Sequence, residues 1–262
     1  MEWKWYLWFI RMAVMLLVLE RCSWCTTDAC LEHERIALLH LKPFFNYGNQ
    51  LQSWVEVKGS DCCKWERVEC NTTTRRLIQL SLNSTIWLYN MEYDMDNRNL
   101  NAWYLNASMF LPFEELKRLY LSGNAMGGNL ENEGFQLLSR LNNLETLDLS
   151  WNSLKNSILF HMRNLSSLKT LRLRRNQLKG RLDHIQGLNN LTNLKYLDLS
   201  DNNIESISNQ GLSNLTNLKK LDLRWNQIES FQSFKDLEAF INLRELYMGY
   251  NELKDLVIHQ GI

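Results

Sequence analysis

Proline is scarce: Pro43 and Pro112 are the only two in 262 residues. Net charge is absent as well, with 29 Lys and Arg against 29 Asp and Glu. That balance excludes nucleic acid as a partner, because phosphate binding needs a basic excess or a basic stripe. It equally removes non-specific adhesion to an acidic membrane. Long apolar runs are missing too. The longer clean stretch near the start, Met12–Leu19, has 8 residues, against the ~20 that a spanning helix needs. No later stretch is long enough, so no membrane insertion of the mature chain is expected. Catalytic signatures are also lacking. The histidines His33, His40, His161, His184 and His259 form no H-E-x-x-H, and no G-x-S-x-G or phosphate-cradling loop is present. The sequence therefore predicts a binding protein with no enzyme activity, no cofactor and no metal.

What is present begins with a targeting signal. Lys4 precedes an apolar aromatic run, Trp5–Ile10, and Arg11 separates it from Met12–Leu19. Ser23 and Cys25 are small residues suited to a signal-peptidase site, and cleavage is expected after Cys25. Residues 1–25 then read as a signal peptide, and the chain enters the secretory pathway.

Removing that segment leaves four of the six cysteines: Cys30, Cys62, Cys63 and Cys70. An even number in an oxidising compartment suggests a disulfide framework. Cys62–Cys63 is excluded, since adjacent Cα atoms lie ~3.8 Å apart, below the usual disulfide range. Two pairings remain open, Cys30–Cys62 with Cys63–Cys70, or Cys30–Cys63 with Cys62–Cys70. A zinc site is the weaker alternative, because no His stands at ligand spacing.

The decisive feature is an internal period. Leu116-Lys-Arg-Leu119-Tyr-Leu121-Ser-Gly-Asn124 follows L-x-x-L-x-L-x-x-N. The pattern recurs at Leu144–Asn152, Leu168–Asn176, Leu194–Asn202, Leu218–Asn226 and Leu243–Asn251, with starts 28, 24, 26, 24 and 25 residues apart. In the last copy Met248 replaces the third Leu. A degenerate earlier copy begins at Leu77, Leu80 and Leu82. This is the leucine-rich-repeat template. Each unit holds one short strand whose leucines point inward. One unit cannot bury them alone, so units stack around a continuous core. The expected fold class is an α/β repeat, a curved leucine-rich-repeat solenoid with one parallel concave sheet and a disulfide-bonded N-terminal cap.

The ninth-position residues Asn124, Asn152, Asn176, Asn202, Asn226 and Asn251 stand where the chain leaves the strand. Each amide can bond free backbone groups of its own turn and of the neighbouring repeat, so they are assigned to a structural ladder. Met126, Leu154, Leu178, Ile204, Ile228 and Leu253 follow two residues later and should line the convex-side core. From Leu77 to Leu116 is 39 residues, longer than one repeat, and Ile86–Phe113 reads as an insertion looped onto the convex side. Ahead of it, Leu31–Lys42 reads as a short amphipathic helix that closes the end of the solenoid. The division is thus a cap at 26–74, a degenerate repeat with its insertion at 75–115, and repeats at 116–262.

The cap residues resemble a known family. Cys30-Leu-Glu32-His-Glu34-Arg35-Ile-Ala37-Leu38-Leu39, then Trp54, then Asp61-Cys62-Cys63-Lys-Trp65-Glu-Arg-Val68-Glu-Cys70, are similar to the N-terminal cap of plant leucine-rich-repeat receptors and inhibitors. The segment Trp103–Leu116 resembles one branch, the plant receptor-like proteins. The resemblance implies the pairing Cys30–Cys62 with Cys63–Cys70. It also marks two departures. The family's repeat continues as L-x-G-x-I-P, whereas here only Leu178-Lys-Gly180 follows its start and no repeat has the proline. A second regular sheet is therefore not expected. The chain also reaches Ile262 inside a repeat, so it reads as an N-terminal fragment of a longer receptor.

A ligand surface is expected on the concave strands, at the third, fifth, seventh and eighth positions. The candidates are Tyr120, Asp148, Trp151, Arg172, Arg174, Arg175, Asp198, Arg224, Trp225, Tyr247 and Tyr250. Exposed aromatics beside arginine are hot-spot chemistry. Arg172-Leu-Arg174 also resembles the R-x-R with which some plant receptor kinases hold a peptide carboxylate. Asn71, Asn83, Asn106, Asn164, Asn190 and Asn214 head N-x-[ST] sequons, expected to be glycosylated on a secretory chain. The resemblance implies an extracellular ectodomain for a peptide, protein or glycan ligand in immunity or development, at the plasma membrane if the full gene product has a transmembrane helix. A partner kinase would then carry the signal. The rival readings are a secreted inhibitor of a cell-wall-degrading enzyme and a truncated decoy that pairs with longer receptors.

Overall fold

A computed structural model describes residues 29–84, 105–127, 135–182, 187–207, 212, 214–229 and 242–254. The expected signal segment and most of the insertion, residues 85–104, lie outside the described residues.

Each repeat contributes one short strand, and the strands line up along a single sheet. The order is β1 (Val68–Cys70), β2 (Leu77–Ser81), β3 (Arg118–Tyr120), β4 (Thr146–Asp148), β5 (Thr170–Arg172), β7 (Tyr196–Asp198), β9 (Lys220–Asp222), β10 (Glu245–Tyr247). From β2 to β10 the strands are parallel. The fourth-position leucines pair in one continuous row, Leu80, Leu119, Leu147, Leu171, Leu197, Leu221 and Leu246. From Leu80 to Leu221 that row is buried. Each fully buried leucine contributes roughly 1.5–3 kcal/mol, but only because its neighbour in the next repeat covers it.

The cap departs from a wholly parallel arrangement. Its strand β1 runs antiparallel to β2, because only a short turn joins them. A parallel pair would need a crossover of a dozen or more residues. The cap helix α1 (Glu32–Phe45) starts where the periodicity places it and continues past Pro43 for two further residues. Leu38, Leu41 and Phe45 from this helix are buried with Leu51 and Trp54. Trp54 stacks on Trp65 at 5.8 Å and donates its Nε1–H to the Glu66 carbonyl at 2.9 Å.

Two disulfides close the cap, Cys30–Cys62 and Cys63–Cys70, with Cα separations of 5.6 and 5.4 Å. Asp61 organises them. Its Oδ1 accepts from the Cys30 and Cys63 amides at 3.1 Å each, and its Oδ2 accepts from Arg75 at 2.7 Å. The cluster of Cys30, Asp61 and Cys63 has metal-like spacing, but the sulfurs are spent in disulfides and are not available as thiolates.

The convex side carries short helical turns, among them Ala107–Phe110, Phe135–Arg140, Met162–Asn164 and Leu188–Asn190. A five-residue α-helix, α2 (Ser157–His161), precedes the third of these. The end of the insertion belongs to this side: Leu105, Ala107, Phe110 and Phe113 are buried. One expectation needs correcting. A second sheet does form, although it has only two strands, β6 (Lys179–Arg181) and β8 (Asn203–Ser206). Gly180, at φ +71°, stands at the register shift between Gly180 and Arg181 in this pair. Asn156 fixes the strand by exchanging 2.9 Å hydrogen bonds with the backbone of Lys179.

Candidate ligand-binding surface

The asparagine ladder sets the geometry of the surface. Asn152 donates Nδ2–H to the carbonyls of Leu121 in the preceding repeat and Leu149 in its own, at 3.1 and 2.9 Å. Its Oδ1 accepts from the Asn124 and Met126 amides at 3.1 and 3.0 Å. Asn202 does the same between Leu173 and Leu199, and it accepts from Asn176 and Leu178. Asn176, Asn226 and Asn251 repeat the donor pattern. Asn124 bonds the Leu82 and Leu121 carbonyls. The strand ends are thereby held one rung apart, and residues at equal positions form rows.

The fifth position is such a row, Tyr120–Asp148–Arg172–Asp198–Asp222–Tyr247. Its aspartates do not present themselves to a ligand. Asp148 and Asp198 each accept with Oδ1 from the amide two residues on, Ser150 and Ser200, at 3.0 Å, and Asp222 accepts likewise from Arg224 at 3.2 Å. Asp198 also receives the hydroxyls of Ser200 at 2.6 Å and Tyr196 at 3.2 Å. It is 7% exposed and Asp222 is 2% exposed. The expectation of Asp198 as an outward contact is therefore corrected: it is a buried turn cap, held by Tyr196 and Ser200 of its own repeat.

The outer layer of the face is cationic and aromatic. The Arg172 guanidinium lies 5.4 Å from the Tyr196 ring and 3.5 Å from Asp148. Lys220 reaches both Tyr196 and Tyr247, at 5.4 and 4.7 Å. Arg224 sits 4.9 Å from Tyr247, while its Nε donates to Asp222 at 2.9 Å. Glu245 binds Lys220 at 3.0 Å and the Tyr247 hydroxyl at 2.9 Å. The hydrogen bond to Lys220 holds the Glu245 carboxyl below its usual value. Burial and the Asp198 carboxylate push the Tyr196 phenol up. Arg174 differs from its neighbours: its buried Nε has no hydrogen-bond partner among the described residues. Tyr120 lies half-buried at the cap end of the face.

The eighth position forms a second row along the rim. The Arg175 guanidinium lies 4.0 Å from the Trp151 ring, and Trp225 stacks on Tyr250 at 3.8 Å. The structure thus groups Arg172, Arg224 and Tyr247 on the face and Trp151, Arg175, Trp225 and Tyr250 on the rim. Tyr196, Lys220 and Glu245 stand at the third position and Asp201 at the eighth; both positions read as outward in the sequence, although none of these four stands among the sequence candidates. Of the sequon residues, Asn106, Asn164, Asn190 and Asn214 are exposed, and Asn71 and Asn83 are half-buried. Asn83 accepts from the Ser122 amide at 2.9 Å.

A parallel one-strand-per-repeat sheet, an asparagine ladder and a disulfide-closed cap define a leucine-rich-repeat protein. Comparison with known proteins agrees. Residues 31–71 match the family described as leucine rich repeat N-terminal domain. Residues 143–165 match a leucine rich repeat, and 166–209 and 192–236 match paired leucine rich repeats. Receptor-like protein 9b of Arabidopsis thaliana is 39% identical over 176 residues, 66% of this chain and 17% of that protein. Receptor like protein 21 of the same plant is 36% identical over 78% of this chain and 20% of its own length. Cuscuta receptor 1 of Solanum lycopersicum is 36% identical over 56% of this chain and 13% of its own length. The chain belongs to the plant leucine-rich-repeat receptor-like proteins. It spans about a fifth or less of the length of these three relatives.

Among solved structures, the ectodomain of the Arabidopsis receptor kinase HAESA, in complex with an IDA peptide hormone, superposes with TM-score 0.63 at 25% identity, covering 84% of this chain and 33% of that one. Pollen Receptor Kinase 3 superposes with TM-score 0.54 at 21% identity, over 81% of this chain and 91% of that one, a likeness of fold alone. No helix among the described residues is long and apolar enough to cross a membrane.

Proposed function

We propose that this chain is the extracellular recognition end of a plant cell-surface receptor-like protein, and that its concave face binds a peptide or protein ligand. The chain acts by binding and carries no catalytic activity of its own. The observation that carries the reading is the layer of Arg172, Lys220 and Arg224 against Tyr196 and Tyr247, beside the Arg174 Nε that lacks an acceptor. A buried donor without a partner costs about 1–3 kcal/mol. That Nε is closed to solvent, so an anionic group of a ligand is met by the guanidinium nitrogens that solvent reaches, and a terminal carboxylate matches the planar fork of a guanidinium. The peptide bound to the HAESA ectodomain supports this choice of ligand class. In a longer receptor, a partner kinase would carry the signal inward.

The test is peptide display on the secreted chain. Random peptides with free C-termini are selected on the wild type and re-measured on Arg172→Ala and Arg174→Ala. Selected peptides should lose at least about tenfold in affinity on Arg174→Ala, the equivalent of one charge-assisted hydrogen bond. Peptides that bind both variants as well as wild type would overturn the assignment of the concave face.

A further inference from the structure

The eighth position of each complete repeat shares one backbone conformation. φ is +68° at Gly123, +56° at Trp151, +51° at Arg175, +56° at Asp201, +56° at Trp225 and +60° at Tyr250. Their amides are bonded alike. Gly123 donates to Ser150, Trp151 to Arg174, Arg175 to Ser200, Asp201 to Arg224 and Trp225 to Gly249, at 2.7–3.1 Å. Equal dihedrals and equal bonds make the Cα–Cβ directions parallel, so these side chains stand in a row. A bulky side chain in the left-handed region is strained where glycine would not be. At Gly123 a Cβ would approach Ser84 Oγ to 2.7 Å, so the serine hydroxyl would have to turn away. Elsewhere in the row large flat side chains occupy the strained position. Such strain persists only where the surrounding structure holds it, and it clusters at functional sites.

The row has one gap. On one side the Arg175 guanidinium is packed on Trp151. On the other, Trp225 and Tyr250 are stacked with their planes 8° apart, and they remain 52% and 69% exposed. Between them stands Asp201, whose short carboxylate has no hydrogen bond or ion pair among the described residues. Neighbouring strands lie about 4.8 Å apart, which places the Arg175 and Trp225 rungs roughly 9.6 Å from each other. A planar group midway would stand about 4.8 Å from each rung, one rung spacing, and adjacent rungs of this row already bring flat groups to 4.0 and 3.8 Å of each other.

We propose that the Asp201 rung is a slot for a single aromatic side chain of the ligand, clamped between the Arg175 guanidinium and the Trp225 indole. This deepens the reading of the chain as a peptide or protein receptor and rests on it. Three features select the occupant. A guanidinium favours an electron-rich ring face. An indole stacks on a flat ring. A carboxylate only accepts, so the ring must carry a donor at its edge. Tryptophan meets all three and tyrosine follows. Phenylalanine lacks the donor, and a ligand arginine would meet the like charge of Arg175.

The experiment uses the full secreted chain labelled with ¹⁵N-tryptophan, titrated with N-acetyl-tryptophanamide. The Trp225 indole resonance, assigned through Trp225→Phe, should move and saturate in the millimolar range. Asp201→Trp fills the slot with the protein's own ring and should weaken binding roughly tenfold. That variant is expected to fold, because Trp151 and Trp225 already adopt the same backbone conformation. Asp201→Asn keeps an acceptor and should stay within about threefold of wild type. A Trp225 resonance that does not move, undiminished binding by Asp201→Trp, or tighter binding of N-acetyl-argininamide would each overturn the slot. Failure here leaves the Arg172 and Arg174 selection untouched, so the two readings fail separately.

Discussion

Glu34 of the cap helix and Leu77 of the first repeat strand are joined by a hydrogen bond: Glu34 Oε2 accepts the Leu77 backbone N–H at 3.0 Å. The carboxylate is fully buried, with Arg76 Nε 3.7 Å from its other oxygen. Arg76 is shared with Glu114 at 2.8 Å and Glu115 at 3.9 Å. One buried acid thus ties cap to solenoid.

The first prediction is a pH dependence. Burial raises the Glu34 pKa above its ordinary 4.5; the Leu77 bond, Arg76 and His33 oppose this, and Glu115 adds to it. The folded state then holds this proton more tightly than the unfolded state. Its contribution to stability is fully present below the unfolded value of 4.5 and is lost as pH rises through the raised folded value. Urea unfolding of wild type and Glu34→Gln at a series of pH values should show the wild-type advantage shrinking as pH rises. A difference that is flat or grows with pH would refute this account.

The second prediction concerns the ladder. Asn202→Ala leaves the Asn176 and Leu178 amides and the Leu173 and Leu199 carbonyls without their partner. At about 1–3 kcal/mol per buried unsatisfied group, partly recovered by relaxation, the expected loss is about 3 kcal/mol. Because the lost bonds join two neighbouring repeats, hydrogen exchange should accelerate both in the repeat of Asn202 and in the preceding one. Acceleration confined to one repeat would show that the residue does not bridge.

The third prediction tests the cap. Cys30–Cys62 closes a separation of 32 residues, worth roughly 3–4 kcal/mol by the chain-entropy estimate. Cys30→Ser and Cys63→Ser should each lower the secreted yield. Wild-type secretion from either variant would count against a structural role for the disulfide that it removes.

The sequence carried the fold because the leucine period is a statement about burial. One row from Leu80 to Leu246 follows from counting positions, and so does the asparagine at each ninth place. The site was less legible. Asp198 reads as outward by alternation, yet Tyr196 and Ser200 turn it into a buried cap. The shared left-handed φ of the eighth position has no signature when the residues are Trp, Arg and Asp instead of glycine.

The fourth prediction concerns modification. Asn164, Asn190 and Asn214 are exposed at equivalent places in successive repeats, and we expect each to carry a glycan on the secreted chain. Asn83 is half-buried with its Oδ1 committed to the Ser122 amide. Site mapping after N-glycosidase treatment should find these three occupied and Asn83 the least used. Equal occupancy at Asn83 would mean that the Ser122 contact gives way during synthesis.

The last prediction separates two arginines of the seventh position. Arg224 is engaged by its own turn: Asp222 accepts both its backbone amide and its Nε, at 3.2 and 2.9 Å. Asp222 is 2% exposed, so removing the guanidinium strands a buried carboxylate. Arg224→Ala should therefore cost stability, about 1–3 kcal/mol for the lost charge-assisted bonds, and weaken ligand binding less than Arg174→Ala does. Arg174 has the opposite profile. It has no ion pair among the described residues, and its Nε lacks a hydrogen-bond partner. Arg174→Ala removes that unmet donor and should leave the fold no less stable than wild type, while weakening the binding of selected peptides. Parallel unfolding and binding measurements on the two variants decide the matter. If Arg224→Ala weakens binding more than Arg174→Ala, the ligand displaces Asp222 from Arg224, and the concave face rearranges on binding instead of being preformed.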